Sequence, residues 1–427
     1  MGILTILAIY ISFILLLVFV LLFGPSPRFR NGVVGKLHTF ITETIWTFLG
    51  KAITKICGQN SLSKFGGCWS YLSEQRNPSL QLLYLFFITG CIGVFLYCGY
   101  DLLAETNLHW IHHDVIIPVM IVFTYVCFFV ASSVGPGKVD AHNVKAALEK
   151  YPYDYLLFDP KICGTCKIQK PARSKHCSLC NMCVARSDHH CGWINQCVGH
   201  NNHRYFILFL YSAFQVCWYG SFLIYHVFTS RMYDSPMYKF LVATNQWEQL
   251  GFLRGYHIFL YQMQTDKSLG ALAIFASLAG LVIFIFFIYN LYLIATGVTT
   301  NESFKWEDIG EMIYRRELVE VIETDMNGAQ LGPKRYEQRD RRHPSHPRYV
   351  EPSASQQSLQ QQHQQKRPQP LPRPAVERVI TKMKEIENIY DRGVKENLSS
   401  ILWPPSLDSV SLSVPVRRAG LSAKKGA

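Results

Sequence analysis

The sequence predicts an all-α polytopic membrane protein with about five transmembrane helices and a cytosolic Cys/His-rich domain between the third and the fourth. Hydrophobic residues make up 49% of the 427 residues and charged residues only 17%, below the ~25% that is usual in soluble proteins. The apolar residues are gathered into runs that are long enough to cross a bilayer, which takes ~20 residues as a helix. Thirteen cysteines are present, and seven of them fall within residues 163–197.

Five apolar runs are predicted to span the membrane: residues 3–23, 80–99, 115–134, 205–228 and 269–296. The first run could instead be a signal peptide. It lacks a basic start, it is too long, and no small-x-small cleavage site follows it. We therefore expect an uncleaved anchor over residues 1–24.

The orientation of the spans follows from the distribution of Lys and Arg, which are enriched in cytosolic loops. Residues 25–79 contain several Lys and Arg, whereas residues 100–114 contain none. This asymmetry predicts a cytosolic loop over 25–79, a transmembrane hairpin over 80–134 and a cytosolic Cys-rich domain over 135–204. A second hairpin over 205–296 then carries a lumenal loop at 229–268.

The part of the chain after the last span has a different composition. Residues 297–327 are predicted to form a juxtamembrane segment with an amphipathic helix lying against the membrane, because Trp306, Ile309 and Ile313 recur at helical spacing. Residues 328–427 are rich in Gln, Pro and Arg and are predicted to be a largely disordered cytosolic tail. Apolar residues at helical spacing predict one helix within it, over 376–392.

Two Cys-x2-Cys pairs with a nearby histidine indicate zinc. The stretch contains Cys163, Cys166, His176, Cys177, Cys180 and Cys183, followed by Asp188, His189, His190, Cys191 and Cys197. Thiols stay reduced in the cytosol, so dense Cys and His indicate a metal site rather than disulfides. Thiolate and imidazole complete the tetrahedral shell that zinc prefers.

Counting ligands singles out one cysteine. Two closed tetrahedral sites need eight ligands. Six cysteines, His176 and one of the pair His189–His190 supply them, which leaves Cys191 beside the remaining histidine and Asp188. A cysteine next to an imidazole and a carboxylate has the composition of an activated nucleophile. A free structural cysteine is the alternative reading.

The place of this cysteine in the chain indicates the kind of substrate. A membrane span opens at Tyr205, a few residues after Cys197, so the thiol is expected at the cytosolic membrane surface. A fatty acyl thioester has its tail in the bilayer and its polar carrier in the cytosol, which suits that position. Although the net charge is +12, no recognition helix or aromatic platform accompanies the basic residues, so no nucleic-acid partner is expected.

Residues 163–202 and the flanking spans resemble the DHHC protein S-acyltransferases, and Thr299–Glu302 is similar to the TTxE motif of that family. The resemblance implies a two-step transfer from acyl-coenzyme A, such as palmitoyl-coenzyme A, through an acyl intermediate on Cys191. His189 would be the base and Asp188 would orient it. The family pattern places Cys163, Cys166, His176 and Cys183 around one structural zinc ion, and Cys177, Cys180, His190 and Cys197 around a second.

The resemblance also implies a tent-shaped cavity that measures acyl length, with Thr299 or Thr300 supporting the triad. Helix capping by these threonines is an equally good reading. Departures from the family pattern are Gly135, Gly192 and Gln196. Five spans are similar to the endoplasmic-reticulum branch of fungal enzymes that acts on SNARE-type single-span proteins with juxtamembrane cysteines.

Two alternatives stay open on the sequence alone. A membrane-anchored zinc module, such as a RING-like ubiquitin ligase, would use its cysteines as ligands and leave no nucleophile beside Asp-His. A pseudoenzyme would keep the fold without acyl transfer. His200 and His203 border the Cys-rich segment, and we expect them to contact lipid headgroups, with coenzyme A phosphates as the alternative. Arg173 and Arg186 lie within the segment, where contact with the same phosphates and a solvated basic loop facing anionic lipid explain them equally well.

Overall fold

The computed structural model describes residues 75–324, 333–338 and 375–407 continuously, together with Tyr71, Gln330 and parts of 12–51. Within these residues four helices are long and apolar enough to cross a membrane: Ser79–Cys98, His112–Ser133, His203–Asp234 and Lys267–Ala295. They coincide with four of the five predicted spans. Most of the predicted anchor over 1–24, and about half of the predicted loop over 25–79, lie outside the described residues.

The helices with described bounds are numbered in chain order. They are α1 Val33–Thr39, α2 Ser79–Cys98, α3 Ile117–Ser133, α4 Val144–Lys150, α5 His203–Asp234, α6 Pro236–Ala243, α7 Gln246–Gln249, α8 Arg254–Thr265, α9 Lys267–Ala295, α10 Thr300–Tyr314 and α11 Val394–Leu402. A π-helical turn at His112–Ile116 leads directly into α3. Short 3-10 turns join the elements on the side predicted to be lumenal, at Asp101–Glu105 and Gly251–Leu253.

The long helix α5 is the centre of the helical bundle. Its 32 residues extend about 48 Å at the ~1.5 Å rise of an α-helix, and it packs against α3 and α9. Gly280 of α9 allows the close approach, because a Cβ atom there would lie 2.6 Å from Trp218 on α5. Beyond the spans, the short helices α7 and α8 bury Trp247 and Ile258 against the end of α5.

The domain between the second and third of these spans is built from short antiparallel strands. They are β1 Lys138–Val139, β2 Lys161–Ile162, β3 Gln169–Lys170, β4 Lys175–Cys177, β5 Met182–Val184, β6 His189–Cys191 and β7 Gln196–Val198. The sheets run β1-β5-β4, β2-β3 and β6-β7. Strands of two or three residues bury little apolar surface, so metal ligation is the natural source of stability for such a domain.

The carboxyl-terminal part of the chain departs from the prediction. The predicted helix over 376–392 is wrong, because β10 Ala375–Val379 pairs with β8 Leu318–Glu323 in a sheet completed by β9 Arg335–Gln338. The apolar residues that suggested a helix are divided between this strand and the residues after it. Ile380, which directly follows β10, is fully buried. Pairing with a distant strand overrode the local periodicity.

The segment 375–407 therefore belongs to the folded protein rather than to a disordered tail. Helix α11 packs against α9 and α5, and Asn397 at its start donates to the carbonyl oxygen of Ala295. The amphipathic helix predicted within 297–327 is present as α10. Its membrane apposition is wrong, because Ile309 and Ile313 pack against Leu318 and Ile380. Residues 339–374 and 408–427 lie outside the described residues.

Candidate active site and metal centres

Two tight turns present the Cys-x2-Cys pairs. In each turn the second cysteine's backbone N–H points at the first cysteine's sulfur, at 3.4 Å for Cys166 to Cys163 and 3.4 Å for Cys180 to Cys177. The chain leaves each turn through a residue with positive φ, Lys167 in the first and Asn181 in the second. These turns hold two sulfur atoms close together before the rest of the domain is considered.

The structure brings the eight predicted ligands together in two groups of four. One contains Cys163, Cys166, His176 and Cys183, and the other contains Cys177, Cys180, His190 and Cys197. The groups interleave along the chain because β4 carries His176 of the first group and Cys177 of the second, and β5 then returns Cys183 to the first. The donor atoms of each group lie within 4.8 Å of one another.

The spacing of the donor atoms fits zinc. With Zn–S of ~2.3 Å and Zn–N of ~2.0 Å, a tetrahedron has S–N edges of about 3.5 Å and S–S edges of about 3.8 Å. In the first group, Nδ1 of His176 lies 3.6, 3.3 and 3.9 Å from the sulfurs of Cys163, Cys166 and Cys183. In the second group, Nδ1 of His190 lies 3.7, 3.3 and 3.7 Å from the sulfurs of Cys177, Cys180 and Cys197. Both groups could hold a zinc ion, which would fix the short strands around it.

Strand β6 separates the metal centre from the thiol. Alternate residues of a strand face opposite sides, so His190 turns toward the second metal group while His189 and Cys191 turn away from it. The pairing of His190 with Cys197 sets this register. Cys191 is 7% exposed and lines a large cavity together with His189.

Asp188 and His189 form a dyad behind the thiol. Nδ1 of His189 lies 2.7 Å from Oδ2 of Asp188. Thr300 donates twice to the same carboxylate, from its backbone N–H at 2.8 Å and from its hydroxyl at 2.8 Å. Burial alone would raise the pKa of Asp188, but these hydrogen bonds and the nearby imidazoles hold it far below its usual range.

The imidazole of His189 is poised to hold a proton. Burial opposes its charge, but its interactions with Asp188 and Cys191 outweigh that effect and raise the pKa of His189 to about 10. The edge of its ring packs on Phe206, with 5.1 Å between the ring centroids. The structure thus places a base between a carboxylate and a thiol, which is the arrangement of a nucleophile, a base and an orienting acid.

The two threonines of the TTxE-like segment have different contacts. Thr299 caps α10 in a capping box, in which its hydroxyl accepts from the Glu302 backbone and the Glu302 carboxylate accepts from the Thr299 N–H. Thr300 binds Asp188. The sequence left helix capping and support of the dyad as alternatives for these two threonines. In the structure Thr299 caps the helix and Thr300 supports the dyad.

An ion pair that sequence reasoning missed lies under the site. Arg173 was expected in a solvated basic loop, but it is 5% exposed and donates to both carboxylate oxygens of Glu302, at 2.6 and 2.5 Å. It also donates to the carbonyl oxygen of Gly297. This pair joins the Cys-rich domain to the start of α10. Local sequence carries no signal for a partner 129 residues away.

The expectation that His200 and His203 face lipid headgroups is also wrong, since both are buried. His200 contacts the Tyr151 hydroxyl at 2.8 Å and the Pro405 carbonyl oxygen at 2.9 Å. Burial, together with the charge of Lys150 3.0 Å away, lowers the pKa of His200 to about 4. These contacts dock the carboxyl-terminal segment onto the Cys-rich domain. Arg186 is likewise buried and contacts His203 at 3.2 Å.

The cavity below Cys191 has a volume of about 890 Å³. Its walls come from α2, α3, α5 and α9, and they are overwhelmingly apolar. Along α5 the lining runs from Phe206 to Ile224, which corresponds to about 27 Å of helix. The cavity therefore extends from the thiol far into the bundle formed by the four apolar helices.

The positions that depart from the family pattern are accommodated in different ways. Gln196 donates to the carbonyl oxygens of Ala131 and Val134, at 2.5 and 3.0 Å, and so ties β7 to the end of α3. A Cβ atom on Gly192 would lie 2.6 Å from the end of the Leu80 side chain. A Cβ atom on Gly135 would meet nothing, and nothing in the structure requires a glycine there.

Comparison with known proteins agrees with this geometry. Residues 157–307, which contain both metal groups, Cys191 and most of α10, match the DHHC palmitoyltransferase family. Palmitoyltransferase swf1 of Schizosaccharomyces pombe is 30% identical over 390 residues, 91% of this chain and 94% of the relative. The chain belongs to the DHHC palmitoyltransferase family.

Other relatives extend the similarity to most of the chain. Palmitoyltransferase SWF1 of Neurospora crassa is 30% identical over 427 residues, 95% of this chain and 93% of that protein. Palmitoyltransferase SWF1 of Candida albicans is 34% identical over 301 residues, 69% of this chain and 73% of that protein. The chain is thus a protein S-palmitoyltransferase of the fungal Swf1 branch.

Proposed function

We propose that the enzyme transfers a fatty acyl group from acyl-coenzyme A to cysteines of membrane proteins through a thioester on Cys191. One observation carries the proposal: the Cys191 thiol lies between the His189–Asp188 dyad and the mouth of a deep apolar cavity. A thiol in that place meets the carbonyl carbon of an acyl thioester whose chain fills the cavity.

In the first step His189 accepts the thiol proton, and the Cys191 sulfur attacks the acyl carbonyl carbon. The carbon–sulfur bond to coenzyme A breaks, and the coenzyme A thiolate takes the proton from His189. Asp188 stabilises the imidazolium that forms between these events and holds the ring in place. In the second step a substrate cysteine attacks the Cys191 thioester with the same proton transfers, and the Cys191 thiol is restored.

The eight ligands would hold two zinc ions that stabilise the domain. The metal groups face away from the thiol, so the ions have a structural role in this proposal. Thr300 would act as a positioning residue by holding the Asp188 carboxylate.

The substrates we propose are single-span proteins of the SNARE type, in the endoplasmic reticulum membrane. Cys191 lies shortly before the start of α5 at His203, and in the orientation we propose this end of the bundle faces the cytosol. A substrate cysteine reaches it only when it lies within a few residues of the end of its own span. A single-span acceptor whose cysteine is moved away from the membrane by Gly-Ser insertions should lose acylation with increasing distance.

The first experiment uses the purified full chain and a clickable palmitoyl-coenzyme A analogue. Wild type should acquire a hydroxylamine-labile label, and Cys191→Ala should acquire none, with zinc content equal in both. Cys191→Ser tests whether an oxygen nucleophile at the same place is acylated. An undiminished label on Cys191→Ala, or no label on folded, zinc-loaded wild type, would refute the mechanism and favour a binding module.

A further inference from the structure

The amino-terminal turn, residues 23–26, forms part of the cavity wall beside the active site. Phe23 and Ser26 line the cavity together with Phe304 and Glu307 of α10. Ser26 is only 2% exposed, so the turn is packed into the protein rather than resting on its surface. The turn lies at the end of the predicted anchor and is not part of the four described spans.

Two polar contacts attach this turn and the residues after it to α10. The Ser26 hydroxyl donates to Oε2 of Glu307 at 2.7 Å, and the Arg30 guanidinium lies 3.8 Å from the Glu311 carboxylate. Glu307 and Glu311 are four residues apart and so lie on one face of the helix. Thr300 and Phe304 lie on the same face. One stripe of α10 therefore runs from the Asp188 carboxylate to the amino-terminal turn.

The backbone of the turn is closely packed as well. The Gly24 N–H donates to the Val20 carbonyl oxygen at 2.9 Å, and Val20 is 1% exposed. A Cβ atom on Gly24 would lie 2.4 Å from Cβ of His38 on α1. Glycine is needed at this close approach, and the turn is held between α1 on one side and α10 on the other.

We propose that the amino-terminal turn keeps water away from the acyl thioester on Cys191, and that Ser26 and Glu307 are the positioning residues that hold it closed. The inference rests on the proposed acyl-enzyme. Water that reaches the thioester adds to its carbonyl carbon, breaks the bond to the Cys191 sulfur and releases a free fatty acid. That reaction competes with transfer to a substrate cysteine, so the enzyme benefits from a closed cavity during the life of the intermediate.

The position of the contact suits this role. Glu307 lies seven residues along α10 from Thr300, about 10 Å at the helical rise, and Thr300 binds Asp188 directly. The Glu307 side chain lies at the rim of the cavity, where it is itself exposed to solvent. If the Ser26 hydrogen bond is lost, the turn and α10 can separate at the point where the cavity meets the cytosol.

The test measures how the acyl-enzyme divides between two outcomes. Full-length protein in nanodiscs is acylated with palmitoyl-coenzyme A and freed of excess donor. The release of free fatty acid and the transfer to an acceptor peptide with a juxtamembrane cysteine are then timed separately. The variants are Ser26→Ala and Glu307→Gln, with Ser26→Thr to restore the hydroxyl. Asp308→Asn removes the neighbouring acid of α10, for which no contact is seen among the described residues, and is the matched control.

We expect hydrolysis relative to transfer to rise roughly fivefold in Ser26→Ala, the change in open population that follows from losing one part-exposed hydrogen bond. Glu307→Gln keeps an oxygen that accepts from the Ser26 hydroxyl but removes the charge, so the ratio should rise by a smaller factor. Ser26→Thr and Asp308→Asn should keep the wild-type ratio. Arg30→Gln, which alters an exposed side chain and leaves the packed turn intact, should raise the ratio less. An unchanged ratio in both Ser26→Ala and Glu307→Gln would overturn the inference while leaving the acyl-enzyme in place. Absence of acyl-enzyme in wild type would instead refute the proposed function.

Discussion

The hydroxyl of Thr300 offers the sharpest test of the dyad, because Thr300→Val removes one donor and keeps the shape of the side chain. The Asp188 carboxylate accepts from His189 Nδ1, from the Thr300 N–H and from the Thr300 hydroxyl. The substitution deletes only the last of these. The backbone N–H and the start of α10 stay as they are, since Thr299 rather than Thr300 caps the helix.

The magnitude follows from the charge on the acceptor. A hydrogen bond to a charged group contributes ~1.5–3 kcal/mol, and each ~1.4 kcal/mol corresponds to a factor of ten in rate. Since Asp188 is nine-tenths buried or more, little of this is lost to solvent screening. The hydrogen bond also stabilises the ground state, and that share of its free energy does not lower the barrier. We therefore expect acylation of Cys191 to slow by about 10- to 100-fold.

The assay is single-turnover formation of the hydroxylamine-labile acyl-enzyme, with zinc content and thermal unfolding measured on the same samples. Thr300→Ser keeps the hydroxyl and should stay within a few-fold of wild type. Thr299→Val removes the cap and should lower stability by about 1 kcal/mol with a smaller effect on rate per folded molecule. If Thr300→Val acylates as fast as Thr300→Ser, then the hydroxyl does not support the dyad.

Three further predictions concern stability. Glu302→Gln leaves the Arg173 guanidinium buried without a counter-ion and should lower the free energy of unfolding by about 3–5 kcal/mol, whereas Glu307→Gln at the exposed rim should cost far less in the same thermal unfolding measurement. Removing metal with a strong chelator should release two zinc ions per chain and unfold the Cys-rich domain, because zinc binding supplies on the order of 10 kcal/mol to such segments. Elemental analysis measures the zinc released, and limited proteolysis detects the unfolded domain. His200→Gln removes an imidazole that is neutral in the folded protein. The unfolding temperature of wild type minus that of His200→Gln should therefore fall as the pH is lowered from 7.5 to 5.5.

The sign of the last prediction follows from proton binding. The pKa of His200 is lowered from 6.5 to about 4 on folding, so below about pH 6.5 the unfolded chain binds a proton that the folded chain does not. The contribution of His200 is complete above pH 6.5 and is lost as the pH falls toward 4. A difference that is constant with pH would show that His200 titrates normally. The His200→Gln reference removes the effect of acid on the zinc ligands, which is common to both proteins.

The metal centres show where sequence reasoning reached its limit. Spacing and ligand count predict two zinc ions and one cysteine to spare. Counting cannot say whether His189 or His190 is the ligand, because the two are adjacent. The alternation of side chains along β6 and its register with β7 resolve this in the structure, since they turn His190 toward Cys197 and leave His189 beside Asp188.

The wrong predictions share one physical cause. The apolar spacing in 376–392 fits a helix when the segment is considered alone, but β8 offers unpaired backbone groups, and pairing with them buries Ile380. Arg173 and His200 are polar residues in a basic segment, and such residues are normally solvated. Glu302 and Pro405, which bury them, lie more than a hundred residues away in the chain.

The sequence by itself determined the features that depend on neighbours in the chain: the apolar runs, the Cys-x2-Cys turns and the spare cysteine before a span. These follow from the length of a helix that crosses a bilayer and from the short reach of a metal-binding turn. Only the tertiary structure decided which side chains meet across the chain: Thr300 with Asp188, Arg173 with Glu302 and Ser26 with Glu307. Such contacts arise when packing brings distant segments together, and no local pattern encodes the partner.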